Sequence, residues 1–308
     1  MGLSLTARTG LHGGAGQSPF RRLLRVASLV RYRFFLYAGL LPYLLGAAWA
    51  YAIAGTFDAP VFWSGLGGVV LAVIGVEAFN EYFDSRMGTD RVFNPQDLPP
   101  MSDWVLWLGV AAFAGALAVG IYLTWRGGWP ILAFAVLGGL AAIFYVAPPI
   151  RWAYRGLGET VIALSYGPWM VLGSLYLHTR EFSWGALWAS LVPGFLIMAL
   201  AVVNAIPDFH QDRLVGKRNL VVRLGRRRAS RVFAVGLATA FAFQALLPLA
   251  GLPRGVWLGL AGAIPASGAA RIALGYPETT VRLVPAQART LIAFLTLAVA
   301  GGIGLAFT

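Results

Sequence analysis

Val69-Val-Leu-Ala-Val-Ile-Gly-Val-Glu-Ala-Phe-Asn-Glu-Tyr-Phe-Asp84 runs from apolar residues into three carboxylates, and Ser85-Arg-Met-Gly-Thr-Asp-Arg91 adds a fourth. An apolar run of this length reads as a membrane span. Carboxylates at the end of such a span are costly unless cations meet them. A second stretch repeats the pattern: Asn204-Ala-Ile-Pro-Asp208 running to Asp212-Arg213, at the end of the apolar run 186–207. Each has the form Asn-x-x-x-Asp, then a second Asp followed by Arg. The chain has only 12 acidic residues in 308, so their concentration at two matching places suggests a metal–diphosphate site inside a membrane protein.

Composition points the same way. The chain is 58% hydrophobic and 12% charged, with a mean hydropathy of +0.71, whereas soluble domains carry about 25% charge. The net charge of +12 does not make it a nucleic-acid binder, because no soluble basic face is visible to carry such a role. The absence of cysteine excludes disulfides, thiolate metal sites and Cys nucleophiles. The expected fold is an all-α polytopic bundle of about nine transmembrane helices, at 33–54, 61–83, 103–124, 129–147, 157–178, 186–207, 230–250, 254–273 and 288–307. Residues 1–18 read as a loose Gly/Ser-rich tail and 19–308 as a single transmembrane domain. Residues 19–30 suit an interfacial helix or an ordinary positive flank of the first span.

Of the 24 Lys and Arg residues, 21 fall on the side of the N-terminus and the even-numbered connections. Arg126, Arg180 and Arg254 alone fall on the other. The positive-inside rule makes the richer side cytoplasmic, with the C-terminus outside and both acidic motifs on the cytoplasmic side of an inner (plasma) membrane.

At helical spacing Asn80 and Asp84 share one face, and Asn204, Asp208 and Asp212 form the same ladder over two turns. Glu77 and Glu81 make another such pair. Oxygen-only ligands suit Mg²⁺, which takes one or two carboxylates and completes its shell with water and phosphate oxygens. Arg86, Arg91, Arg213, Lys217 and Arg218 can meet the remaining phosphate charge. The plainer alternative is two helix ends whose carboxylates pair with neighbouring arginines.

On these motifs the chain resembles the UbiA-type intramembrane aromatic prenyltransferases. Further similarity lies in Tyr145-Val-Ala-Pro-Pro149, Arg155-Gly-Leu-Gly-Glu159, Tyr166-Gly-Pro168, Asp208-Phe-His-Gln-Asp-Arg-Leu-Val-Gly-Lys-Arg218 and Val222-Arg-Leu-Gly225. These resemble the 1,4-dihydroxy-2-naphthoate polyprenyltransferase branch, which makes menaquinone precursors. Two departures stand out. Glu81 takes the place of the usual second Asp of the first motif, and 91–103 lacks the Gly-Gly-Ser run of that branch.

The resemblance implies Mg²⁺-dependent transfer of a polyprenyl group from an allylic diphosphate to an aromatic acceptor at the membrane. Asp84, Asp208 and Asp212 would hold the metal, Asn80 and Asn204 would support it, and Glu81 and Asp90 would be further ligands. Tyr145, Phe79, Phe83 and Tyr166 are candidates to face the allylic cation. Arg31, Arg91, Arg151, Arg155, Lys217 and Arg218 would bind diphosphate or the acceptor's carboxylate. The Arg226–Arg228 run reads as a headgroup-facing flank. Other acceptors remain open: a hydroxybenzoate, homogentisate, a tetrapyrrole or a glycerol phosphate. An ion-coupled transporter is the distant rival, disfavoured because the acids gather at one membrane face.

Overall fold

The computed structural model describes residues 33–55, 57–87 and 101–306, with side chains within 39–305. The 1–18 tail, the 19–30 segment, Arg31, Asp90, Arg91 and most of the 91–103 loop lie outside the described residues. Every regular element among the described residues is helical: α1 Arg33–Ala54, α2 Ala59–Met87, α3 Asp103–Gly127, α4 Trp129–Ile143, α5 Gly158–Leu164, α6 Met170–Thr179, α7 Trp184–Ala205, α8 Phe209–Leu214, α9 Leu220–Leu224, α10 Arg226–Leu246, α11 Ala263–Gly275 and α12 Thr280–Ala306. A π-type segment, Ser165–Trp169, joins α5 to α6, and a 3-10 segment, Arg254–Gly262, leads into α11.

Seven of these units are long and apolar enough to cross a membrane. Two shorter apolar helices, Gly39–Ala54 and Trp129–Ile143, complete the set among the described residues. The α4 helix has 15 residues, about 22 Å at 1.5 Å per residue, against a hydrocarbon core of about 30 Å. It stops at Ile143, before Pro148 and Pro149, so Tyr145 lies in a turn rather than in the span expected over 129–147.

The bundle is organised around α7. Its apolar window is 67% buried, against 22% for α3. It packs on α10, α5 and α12, while α2 pairs with α3 and α1 with α6. The α12 helix also packs on α1, so the last and first helices meet. Where α7 meets the π segment the backbones touch. A Cβ on Gly167 would lie 2.8 Å from the Gly194 Cα and 2.8 Å from the Ser190 carbonyl oxygen. Gly167 also has a non-helical ψ of −105°, and Pro168 follows it. The span expected over 157–178 is therefore two helical pieces meeting at a kink.

The acidic segments leave this frame differently. The α2 helix runs unbroken for 29 residues, about 44 Å, so its last turns outreach the hydrocarbon core. They carry Glu77, Asn80, Glu81 and Asp84. The second motif is not the continuous two-turn ladder its spacing suggests. The α7 helix ends at Ala205, residues 206–208 form a turn, and α8 starts at Phe209. Pro207 is the reason: it lacks an amide proton and its ring clashes with the preceding helical turn. The Asp208 and Phe209 amides donate to Ala205 and Ile206, three residues back, rather than four. Asp208 and Asp212 keep their one-turn relation, since the Asp212 amide donates to the Asp208 carbonyl at 2.8 Å.

Candidate active site

The break at Pro207 turns the second motif across the end of the bundle towards the first. Two side chains bridge them. The Tyr154 hydroxyl donates to Asp84 Oδ1 at 3.3 Å. Lys217 Nζ sits 3.5 Å from Asp212 Oδ1 and 5.9 Å from the centroid of the Tyr154 ring. Burial alone would lower the Lys217 ammonium, but the charges of Asp84 and Asp212, with Tyr154, outweigh it and hold it above the ordinary amine range. Burial likewise raises the Tyr154 phenol, with the Asp84 charge adding to it and Lys217 opposing. Asp84, Asp212 and Lys217 thus form one electrostatic unit contributed by α2, α8 and the 215–219 turn.

That unit is fixed from outside. Asn219 Nδ2 donates to Asp212 Oδ2 at 2.5 Å, and its Oδ1 caps α9 by accepting from the Val222 amide at 2.8 Å. Glu159 Oε1 accepts from the Leu220 amide at 3.1 Å, tying α5 to the same turn. Asp208 is exposed in the turn, although nearby protein displaces part of the water around its carboxyl. Desolvation, and after it the Asp212 charge, raises Asp208 to about 6.

Arg226 reads otherwise than the headgroup-facing residue its sequence run suggests. It is 8% exposed. Its Nε donates to the Ile206 carbonyl at 3.2 Å and its Nη2 to Pro207 at 3.3 Å. Nη1 donates to the Glu278 carbonyl at 3.0 Å, and Nη2 also reaches Thr280 Oγ1 at 3.2 Å. The guanidinium pins the turn before Asp208 to the α11–α12 connection. Truncating it strands several buried carbonyls. Arg226→Ala should lower stability by about 3 kcal/mol, seen as a fall in the thermal midpoint of the detergent-solubilised protein. Arg227, whose side chain is 79% exposed, is the control, and Arg227→Ala should stay within about 0.5 kcal/mol.

The remaining site residues named from sequence divide by position. Asn80 lies one turn before Asp84 with its Oδ1 buried and without a hydrogen-bond partner among the described residues. Glu81 is half-buried beside it, and Asn204 is half-buried in the last turn of α7. The Arg151 guanidinium lies 5.9 Å from the Tyr154 ring centroid, which sets it beside the bridge. Arg155 faces elsewhere: its Nη2 donates to the Pro149 carbonyl at 3.1 Å, and its own carbonyl accepts from Arg223 at 2.6 Å. Arg218 is exposed, and its carbonyl accepts from Arg223 Nε at 3.0 Å. Arg86 binds Asp103 at 2.7 Å and the Met101 carbonyl at 2.9 Å, locking the start of α3 to the end of α2. Tyr154 and Asn219 went unrecognised in the sequence, Glu159 entered only within a family-like motif and Arg226 only within a headgroup-facing run. Asn219 left the trace of an Asn just ahead of a short apolar helix.

Among the described residues no three His, Cys, Asp or Glu side chains converge on one ion-sized point. Mg²⁺ needs no such cage, since one or two carboxylates suffice when phosphate oxygens complete the shell. The paired Asp84 and Asp212, their all-oxygen chemistry and the unpartnered Asn80 oxygen fit that mode.

Behind the carboxylates lies apolar space in two lobes. The larger, about 450 Å³, is lined by α2, α3, α4 and α6, with Tyr43 of α1. The smaller, about 120 Å³, is bounded by Val73, Val76, Tyr145, Ile162 and Tyr166. They share Val69, Ala72, Gly138, Ala142, Ser165 and Met170 along one seam.

The profile of the UbiA prenyltransferase family matches residues 39–282, most of the chain. The chain belongs to the UbiA prenyltransferase family. It is therefore a prenyltransferase and a multi-span helical membrane protein. Two relatives of this UbiA enzyme are the 1,4-dihydroxy-2-naphthoate octaprenyltransferase of Mycobacterium tuberculosis and the 2-carboxy-1,4-naphthoquinone phytyltransferase of Synechocystis sp. The first is 30% identical over 88% of this chain and 96% of its own. The second is 27% identical over 70% of this chain and 76% of its own. A UbiA homolog from Archaeoglobus fulgidus, solved bound to GPP and Mg²⁺, shares the fold with a TM-score of 0.57 at 16% identity, covering 91% of this chain and 98% of its own.

Proposed function

We propose that this UbiA prenyltransferase moves a polyprenyl group from an allylic diphosphate onto 1,4-dihydroxy-2-naphthoate, with Mg²⁺ as the cofactor. The observation that carries the reading is the meeting of Asp84 with Asp212 and Lys217 across Tyr154, next to apolar space large enough for an isoprenoid. The naphthoate acceptor is supported by the names of the two relatives above. The active site is taken to face the cytoplasm, in one domain of nine spans over 19–308, the two shorter apolar helices counting as spans.

Asp84 and Asp212, with Asp208 one turn before Asp212, would hold Mg²⁺, which would supply Lewis-acid stabilisation of the departing diphosphate. Asn80 and Asn204 support those carboxylates, with Glu81 and Asp90 as further oxygen donors. Lys217, beside Asp212, and Arg151, beside the Tyr154 ring, bind the diphosphate oxygens, and Arg31, Arg91 and Arg218 are assigned the same role. Arg155, held at Pro149, keeps the connecting loop in shape. The allylic C–O bond breaks with its electron pair on the diphosphate. The faces of Tyr145 and Tyr166 meet the cation at the head of the apolar space. A ring carbon of the acceptor then closes the C–C bond, and the carboxylate it carried leaves as CO₂.

Purified protein is incubated with prenyl diphosphates and a panel of aromatic acceptors, with Mg²⁺ or with EDTA, and the products are weighed. A prenylated, decarboxylated naphthalene that forms only with Mg²⁺ is the expected result. Product on hydroxybenzoate, homogentisate or a glycerol phosphate instead would replace the acceptor. No transfer in any arm would overturn the reading.

A further inference from the structure

We infer that Glu77 recognises the acceptor, by accepting a hydrogen bond from a ring hydroxyl and so orienting the ring between the apolar lobe and Asp84. This rests on the prenyl-transfer reading above and adds the residue that selects a hydroxylated aromatic.

Glu77 is 4% exposed and lies within α2, where a carboxyl is expensive. Its Oε1 is buried and has no hydrogen-bond partner among the described residues. Buried polar atoms are rarely left unpaired, and a pairing missing from the protein itself points to a ligand or a water. The position of Glu77 favours the ligand. Val69, Val73 and Val76 line the small lobe from one face of α2. At helical spacing that face continues through Glu77, four residues beyond Val73, and Asn80, four beyond Val76, to Asp84. Both intermediate residues present a buried, unpartnered oxygen, and α2 carries no such atom elsewhere.

The surroundings suit an aromatic ring. Tyr145 and Tyr166 bound the small lobe. An acceptor ring at the edge of this lobe has apolar walls and aromatic edges, and Glu77, one turn beyond Val73 on α2, carries the oxygen lacking a donor. A phenolic hydroxyl supplies that donor; an alkyl chain or an O-methylated ring does not. A buried polar group left unpaired is what lets a site reject an analogue lacking the matching hydroxyl.

Glu77→Leu separates this role from a structural one. It deletes an unpartnered buried carboxyl, so the thermal midpoint of the purified protein should hold or rise. The acceptor KM should rise about 10- to 100-fold, while the prenyl diphosphate KM stays within about two-fold. Glu77→Gln, which keeps the size and one accepting oxygen, should raise the acceptor KM about three- to ten-fold. Methylating the hydroxyl that Glu77 receives should weaken the acceptor for the wild-type enzyme and have little further effect on Glu77→Leu.

An unchanged acceptor KM in both variants, with wild-type transfer intact, overturns this inference alone. So does a parallel rise in both KM values, or a lowered midpoint without an acceptor effect. Wild-type protein that transfers to no hydroxylated aromatic overturns the underlying reading and this inference with it.

Discussion

Asp84→Asn and Asp212→Asn should each lower kcat/KM for prenyl transfer by about 10³-fold or more, while the protein still extracts as a folded, monodisperse species. The substitutions keep shape and most hydrogen bonding. An Asn at 84 still offers an oxygen to the Tyr154 hydroxyl, and an Asn at 212 still accepts from Asn219. What disappears is one negative charge from the unit that holds Lys217. That charge is what a divalent cation and its diphosphate require. The two variants should also differ. Asp212 is buried and held by both Lys217 and Asn219, whereas Asp84 is half-buried, so the Asp212→Asn midpoint should fall further than that of Asp84→Asn. Mn²⁺ binding followed by electron paramagnetic resonance in the presence of a non-hydrolysable prenyl diphosphate provides the second readout, and each variant should lose most of it. Near-wild-type turnover in either would show that the two motifs do not share one metal–diphosphate site.

Much of this architecture was legible in the chain, for physical reasons. Hydrophobic runs near 20 residues report spans because backbone amides in hydrocarbon must pair within the helix. Acids at the ends of such runs stand out because apolar surroundings penalise them. The fine geometry of the second motif was not legible. Its i, i+4 spacing assumes an unbroken helix, and Pro207 breaks it between Asn204 and Asp208. The break is what lets Asp212 and Lys217 turn towards Asp84. Long-range partners escaped for another reason. Arg226 looks like its exposed neighbour Arg227 in any local window, and only the fold brings the carbonyls of Ile206, Pro207 and Glu278 to it. Tyr154 is 70 residues from Asp84 and carried no spacing signal. The reach of α4 was overestimated because the apolar composition continues past Ile143, while the chain turns before Pro148.

Gly138→Phe should impose a length limit on the prenyl donor. The larger and smaller lobes share Gly138 in their walls, together with Ala142 on the same face of α4, one turn on. A Cβ at Gly138 would meet nothing within 4 Å, so a new side chain has open space to enter, and that space is the seam between the lobes. Folding should not suffer. Replacing a helical Gly with a residue of higher helix propensity gains a few tenths of a kcal/mol, and the ring fills a void instead of displacing packed atoms. A diphosphate head bound at Asp84 and Asp212 with its first isoprene units near Tyr145 would remain unaffected. A longer tail has to pass the seam into the 450 Å³ lobe, and forcing it past a phenyl ring costs about 1–3 kcal/mol. That corresponds to roughly a 5- to 150-fold loss in kcat/KM for a long polyprenyl diphosphate. Geranyl diphosphate should keep its rate within about three-fold. Competition between short and long donors in one reaction, read by product mass, measures the ratio directly. An equal loss for both lengths would mean that Gly138 borders the reacting head rather than the tail. An unchanged ratio would mean that the tail leaves the site by another gap between the helices, with the large lobe serving no part of its path.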